Sequence, residues 1–131
     1  MRIVISDPAS GKSYQAEVSK DQETHIIGKR ISERLDGGVV GAAGYSLELT
    51  GGSDDSGFPM RLDIPGSKKT RVLVTRGIGF HTKRNGERRR RMFRGNNYSA
   101  DIVQVNAKVI SAGQTPLDQI FVKSEKKEEK K

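Results

Sequence analysis

Cysteine and tryptophan are both absent from this 131-residue sequence. Without cysteine there is no disulfide framework, no thiolate nucleophile and no cysteine-based zinc site. Aromatics are few, four Phe and three Tyr, and hydrophobic residues make up only 33% of the chain. A core built from them must be small and mainly aliphatic, within the reach of one compact domain and not of two. No apolar run approaches transmembrane length, and no basic amphipathic helix with large apolar residues is visible. Residues 1–6, MRIVIS, read as a strand rather than a signal peptide. A soluble cytoplasmic protein with no membrane partner is the expectation.

Groups that carry catalysis are equally scarce. Gly11-Lys12-Ser13 looks like the end of a phosphate-binding loop, but the first glycine of that motif would fall at Ser6. Residues 14–18, next in the chain, alternate like a strand where the motif needs a helix. Gly77-Ile78-Gly79 lacks the third glycine of a dinucleotide loop. His25 and His81 stand in unrelated contexts with no spaced ligand partner. No catalytic residue, metal, cofactor or small-molecule substrate is therefore expected, and the protein is not read as an enzyme.

What the sequence does have is positive charge. Lys and Arg number 24 against 16 Asp and Glu, a formal +8. An excess of this size in a short chain is an electrostatic footprint for a polyphosphate partner, above all nucleic acid. The charge is also concentrated. Between residues 68 and 94 stand Lys68, Lys69, Arg71, Arg76, Lys83, Arg84, Arg88, Arg89, Arg90, Arg91 and Arg94, against the single acid Glu87. The self-repulsion of such a cluster is relieved by a densely anionic partner, whose released counterions add a salt-dependent gain. Arginine dominates its densest part, and guanidinium forks bind phosphate bidentately and stack on bases. Phe80, His81, Phe93 and Tyr98 are interleaved with these cations. They are candidates for stacking on unpaired bases, with core packing at least as good a reading for Phe80 and Phe93. A solvated charged loop or a nuclear-localisation-like run is the plainer alternative for the whole cluster.

The rest of the chain is punctuated by 15 glycines, many of them where apolar runs stop. Residues 12–18 alternate and would form a hairpin with 1–6 across a turn at 7–11. Residues 21–27 have mild helical character, with Ser19 or Asp21 as N-cap and Gly28 as stop. Residues 31–35 fit helix or strand, and glycines then break the chain up to Gly44. Residues 45–50 alternate clearly and end at Gly51-Gly52; 71–75 form a short aliphatic strand; 102–110 form the longest strand-like run. The Lys/Glu-rich 123–131 has nothing to bury and reads as a flexible tail. Short strands, many glycines and little helix predict an all-β or β-rich small barrel with one short helix and a long basic loop. Its single domain would span 1–122, with the basic segment at 68–95.

Residues 51–60, GGSDDSGFPM, form a second distinctive stretch. Gly51, Gly52 and Gly57 permit close backbone approach, and Phe58 and Met60, either side of Pro59, can enter a core or an RNA crevice. Asp54 and Asp55 superficially resemble a calcium loop, but the required ligand spacing is not met, so a structural loop is the reading. This stretch resembles the GG-x-D-x-x-GFPM signature of the "S-six, e-type" ribosomal protein family. Residues 77–95, GIGFHTKRNGERRRRMFRG, are similar to that family's basic segment, with its core G-E-R-[KR]-[KR]-x-x-R-G. The resemblance covers essentially the whole chain up to the tail.

The resemblance implies a structural constituent of the small ribosomal subunit, bound to its ribosomal RNA among neighbouring ribosomal proteins and made in the cytoplasm. It also implies a six-stranded-type β-barrel like those of translation factors, monomeric when free. Eukaryotic members continue into a long basic helix carrying phosphorylated serines. This sequence stops at Lys131 and resembles the shorter archaeal members, so Ser124 is not expected to inherit that role. On this reading the 68–94 cations neutralise phosphates, Gly86 and Gly95 give the turns that let backbone approach RNA, and the basic loop is mobile until RNA binds. The rivals are a free-standing nucleic-acid-binding protein and an RNA-modifying enzyme domain.

Overall fold

The computed structural model describes residues 1–114 and 116–120. The expected tail at 123–131 lies outside them. Strand β1 (Arg2–Asp7) turns back on β2 (Lys12–Glu17) as an antiparallel pair. The turn holds because the Asp7 carboxylate accepts from the Ala9 amide and the Ser10 hydroxyl, while Gly11 takes φ +71°. On its other side β1 pairs in parallel with β7 (Ile102–Ser111), which pairs antiparallel with β4 (Ser46–Asp54), and β4 with β3 (Arg34–Asp36). The five-stranded order is β2-β1-β7-β4-β3. Strands β5 (Lys69–Val74) and β6 (Arg89–Arg94) make a separate two-stranded ribbon.

Alternation explains the core. Ile3 and Ile5 of β1, Leu47 and Leu49 of β4, and Val105 and Ala107 of β7 point to one side, where Ile26, Tyr45 and Tyr98 fill the space between them. The segment expected to be helical shortens to α1 (Lys20–Glu23), with Ser19 at its N-cap. It gives way to turns because Gly28, at φ +93°, donates its amide to the Tyr98 carbonyl across the fold. Residues 31–35 resolve as a turn leading into β3. A second four-residue helix, α2 (Leu117–Ile120), follows β7 and buries Leu117.

One expectation is met in part and another is revised. Strands β2 and β3 are the sheet's edges, and no pairing joins them among the described residues. The protein is β-rich, and its main sheet is hydrogen-bonded as an open one. Strand β4 does not end at Gly51-Gly52 but runs on to Asp54. Thr50 is the extra residue of a bulge there, since Leu49 faces Ala107 while Gly51 faces Asn106. Beyond it, a Cβ on Gly52 would overlap the Gln104 carbonyl oxygen, so only glycine lets β4 keep contact with β7.

The bulge also exposes the Gly51 carbonyl to the Tyr98 hydroxyl, which donates to it at 2.7 Å. Burial pushes the Tyr98 phenol's pKa well up, against the opposing pull of that hydrogen bond. Tyr98→Phe is expected to lower stability by about 1 kcal/mol, the usual worth of a buried hydrogen bond, in urea unfolding.

Candidate nucleic-acid interface

The basic segment is not the long loop the composition predicts. In β5, Thr70, Val72 and Val74 alternate with Lys69, Arg71 and Leu73. Their partners across the ribbon are Phe93, Arg91 and Arg89 on one face, and Arg94, Met92 and Arg90 on the other. Val74 and Phe93, with Ile64 and Phe80, close a small second core. That core is why a run as charged as Arg-Arg-Arg-Met-Phe-Arg forms a strand: its last three residues have something to bury, and the first three do not.

Ten of the eleven expected cations are exposed: Lys68, Lys69, Arg71, Arg76, Lys83, Arg84, Arg88, Arg89, Arg90 and Arg91. Lys68 just precedes the ribbon, and the other nine cover both of its strands and the 75–88 connection between them. Glu87 is partly engaged already, holding Arg89 at 3.1 Å and accepting from the Lys83 amide at 3.2 Å. Among the described residues, Arg71, Arg76, Arg88, Arg90 and Arg91 have no acidic partner. The Arg91 guanidinium lies over the Phe80 ring, 5.5 Å from its centre.

Arg94 is the exception and a correction. Only 7% exposed, it donates Nε to Asp54 Oδ2 at 2.8 Å and a terminal nitrogen to the Ser67 carbonyl at 2.9 Å. Asp101 stands 3.5 Å from its other terminal nitrogen. Its donors are taken up inside the protein, so it is not available to a phosphate. Of the aromatics, Phe80 and Phe93 take the core reading and Tyr98 is corrected from stacking candidate to core residue; all three are buried and present no face to a base, which leaves His81 exposed.

Asp54 is the hub of the 51–60 segment. Its Oδ1 accepts from the Ser56 and Phe58 amides at 3.0 and 2.8 Å, and its Oδ2 holds Arg94. Burial alone would raise its pKa, but the Arg94 hydrogen bond, the Phe58 amide and the charges of Arg94 and Lys69 outweigh that and hold it below 3.8. Both Asp54 carboxylate oxygens are thereby committed within the protein, to the Ser56 and Phe58 amides and to Arg94. Met60 enters the main core, Phe58 sits 5.4 Å from the Lys69 ammonium, and the Pro59 carbonyl accepts the Arg94 amide at 2.9 Å. The two distinctive stretches of sequence are thus one structural unit, joined at Asp54, Pro59 and Arg94. Gly86, at φ +78°, turns the connection in open space, whereas Gly95 is packed tightly under the Gly66 carbonyl.

The model of the ribosomal protein S6e family matches residues 1–122. The chain belongs to that family. It is 50% identical over 127 residues to the small ribosomal subunit protein eS6 of Methanocella arvoryzae, covering 97% of this chain and 89% of that one. It is 46% identical over 120 residues to the proteins of the same name from Methanothermobacter thermautotrophicus and Methanocaldococcus jannaschii. Those matches cover 92% of this chain and 94% and 89% of theirs. Membership in a ribosomal-protein family places the chain outside the enzymes.

Proposed function

We propose that this protein is a structural constituent of the small ribosomal subunit, anchored on its ribosomal RNA by the β5–β6 ribbon and the connection between its strands. The observation that carries the reading is nine exposed cations on one ribbon and its connection, with a single, already engaged acid. The name shared by the archaeal relatives supports the subunit. Residues 1–122 would act as one domain, the bulged sheet serving as a barrel-like mount and the Asp54–Arg94 pair fixing the ribbon on it. Phosphate contacts of this kind position a protein without reading sequence, so RNA shape would supply specificity. The working place is the cytoplasmic ribosome, among neighbouring ribosomal proteins, with the free protein monomeric.

The test is binding to small-subunit ribosomal RNA over a salt series, with Arg88, Arg89, Arg90 and Arg91 replaced together by alanine. Wild-type affinity should fall steeply with salt, and the variant's slope should be shallower by about 0.7–0.9 for each phosphate it no longer neutralises. Identical slopes would make the ribbon a bystander and move the RNA surface to the five-stranded sheet. Preference for duplex DNA at matched salt would favour the free-standing nucleic-acid-binding rival.

A further inference from the structure

Soon after β5, near the start of the basic connection, the chain makes a tight turn at 77–80. Gly77 and Phe80 exchange amide–carbonyl hydrogen bonds at 3.1 and 3.2 Å, and Gly79 takes φ +79°. The turn is firmly seated. Phe80 is buried beneath it, and Gly79 lies so close to the second core that a Cβ would come within 2.6 Å of the Phe93 ring and 2.7 Å of Pro59. Its apex residue is Ile78, a β-branched apolar side chain left 65% exposed. Arg76 precedes it in sequence, and Arg91 lies over the ring of Phe80 at the base of the turn.

A loop whose only task was to hold cations near phosphates would gain nothing from an isoleucine held out at its tip. On RNA the phosphates offer that side chain no apolar surface and the riboses only narrow C–H edges; the broad apolar faces are those of the bases. In a paired A-form stem those faces are stacked together and hidden, so the contact requires an unpaired, unstacked base. Apolar wedges on basic proteins act against nucleic-acid bases in this way. We infer that Ile78 is an apolar wedge that packs against an unstacked base of the bound RNA, so that the ribbon docks beside a bulge or loop and not on a continuous helix. The inference rests on the proposed RNA contact of the ribbon and adds the element of RNA structure that is recognised.

The experiment uses the full chain and small-subunit ribosomal RNA, with Ile78→Ala and Ile78→Met beside the four-arginine variant. Ile78→Ala should weaken binding about tenfold at every salt concentration, as expected when most of an isoleucine side chain is no longer buried. Its salt slope should match wild type, because no charge is removed. Ile78→Met should retain most of the affinity. Chemical probing of base reactivity should find an unpaired nucleotide protected by the wild type and by Ile78→Met, and reactive with Ile78→Ala. Because Ile78 is exposed, all three proteins should melt at one temperature. Unchanged affinity and an unchanged base footprint for Ile78→Ala would overturn the wedge while leaving the phosphate anchor intact. If the four-arginine variant also binds as wild type, the anchor fails and the wedge falls with it.

Discussion

Replacing Asp54 with alanine is expected to remove about 3–5 kcal/mol of folding stability, the usual consequence of leaving one member of a buried ion pair without its partner. Three bonds go at once: that from the Arg94 guanidinium, and those from the Ser56 and Phe58 amides that converge on the other carboxylate oxygen. Arg94 cannot turn to solvent cheaply, because its backbone is held by the Pro59 carbonyl and its side chain by the Ser67 carbonyl. The pair also sets an acid limit. Asp54 has its folded-state pKa below the unfolded value near 3.8, so its contribution is fully present above that value. It is lost as pH falls through the lower, folded pKa. Urea unfolding at neutral pH should give the full difference between wild type and Asp54→Ala, and the gap should narrow at strongly acid pH. A variant within about 0.5 kcal/mol of wild type at neutral pH, the range of an ordinary surface change, would remove Asp54 from the framework.

Gly95→Ala should be comparably severe, at about 3 kcal/mol or more, for a steric reason. A Cβ at this position overlaps the Gly66 carbonyl oxygen and approaches the Pro65 carbonyl oxygen at 3.2 Å. Nothing nearby is free to give. The Asn96 amide is bonded to the Ile64 carbonyl at 2.8 Å and the Asn97 amide to the Gly66 carbonyl at 3.0 Å, so the two backbones are clamped face to face. Gly86→Ala offers the contrast. Its φ of +78° carries the left-handed penalty of about 1–2 kcal/mol, but open space surrounds it. Chemical denaturation of the two variants should rank Gly95→Ala well below Gly86→Ala. The reverse order would mean that the chain at 65–66 yields readily.

Strands with a clean period were legible in the sequence. Ile3 and Ile5, and Leu47 and Leu49, alternate with polar residues and lie on the core face where alternation puts them. Strand β6 was not, because four consecutive arginines hide Phe93, which anchors it in the second core. The signal was in its partner: Thr70, Val72 and Val74 already mark a strand face in need of a neighbour. Composition located the cationic surface but could not separate Arg94 from Arg91. What distinguishes them is the carboxylate of Asp54, forty residues away, and charge counting has no term for so distant a neighbour. Tyr98 was missed as a core residue for a related reason: its phenol is satisfied by a carbonyl that only the bulge in β4 exposes.

The parallel pairing of β1 with β7 has a consequence for timing. Ile3 lies beside Val105, so the strand made first waits for the strand made nearly last before the centre of the sheet can close. Such long-range closure is slow compared with local pairing. The ribbon is different: its strands are neighbours in the chain across the 75–88 connection, and its small core gathers Ile64, Val74, Phe80 and Phe93, with Val72 packed against it. During synthesis the cationic ribbon can therefore take shape while the sheet is still half made. The cationic ribbon can thus be in place before the centre of the sheet closes.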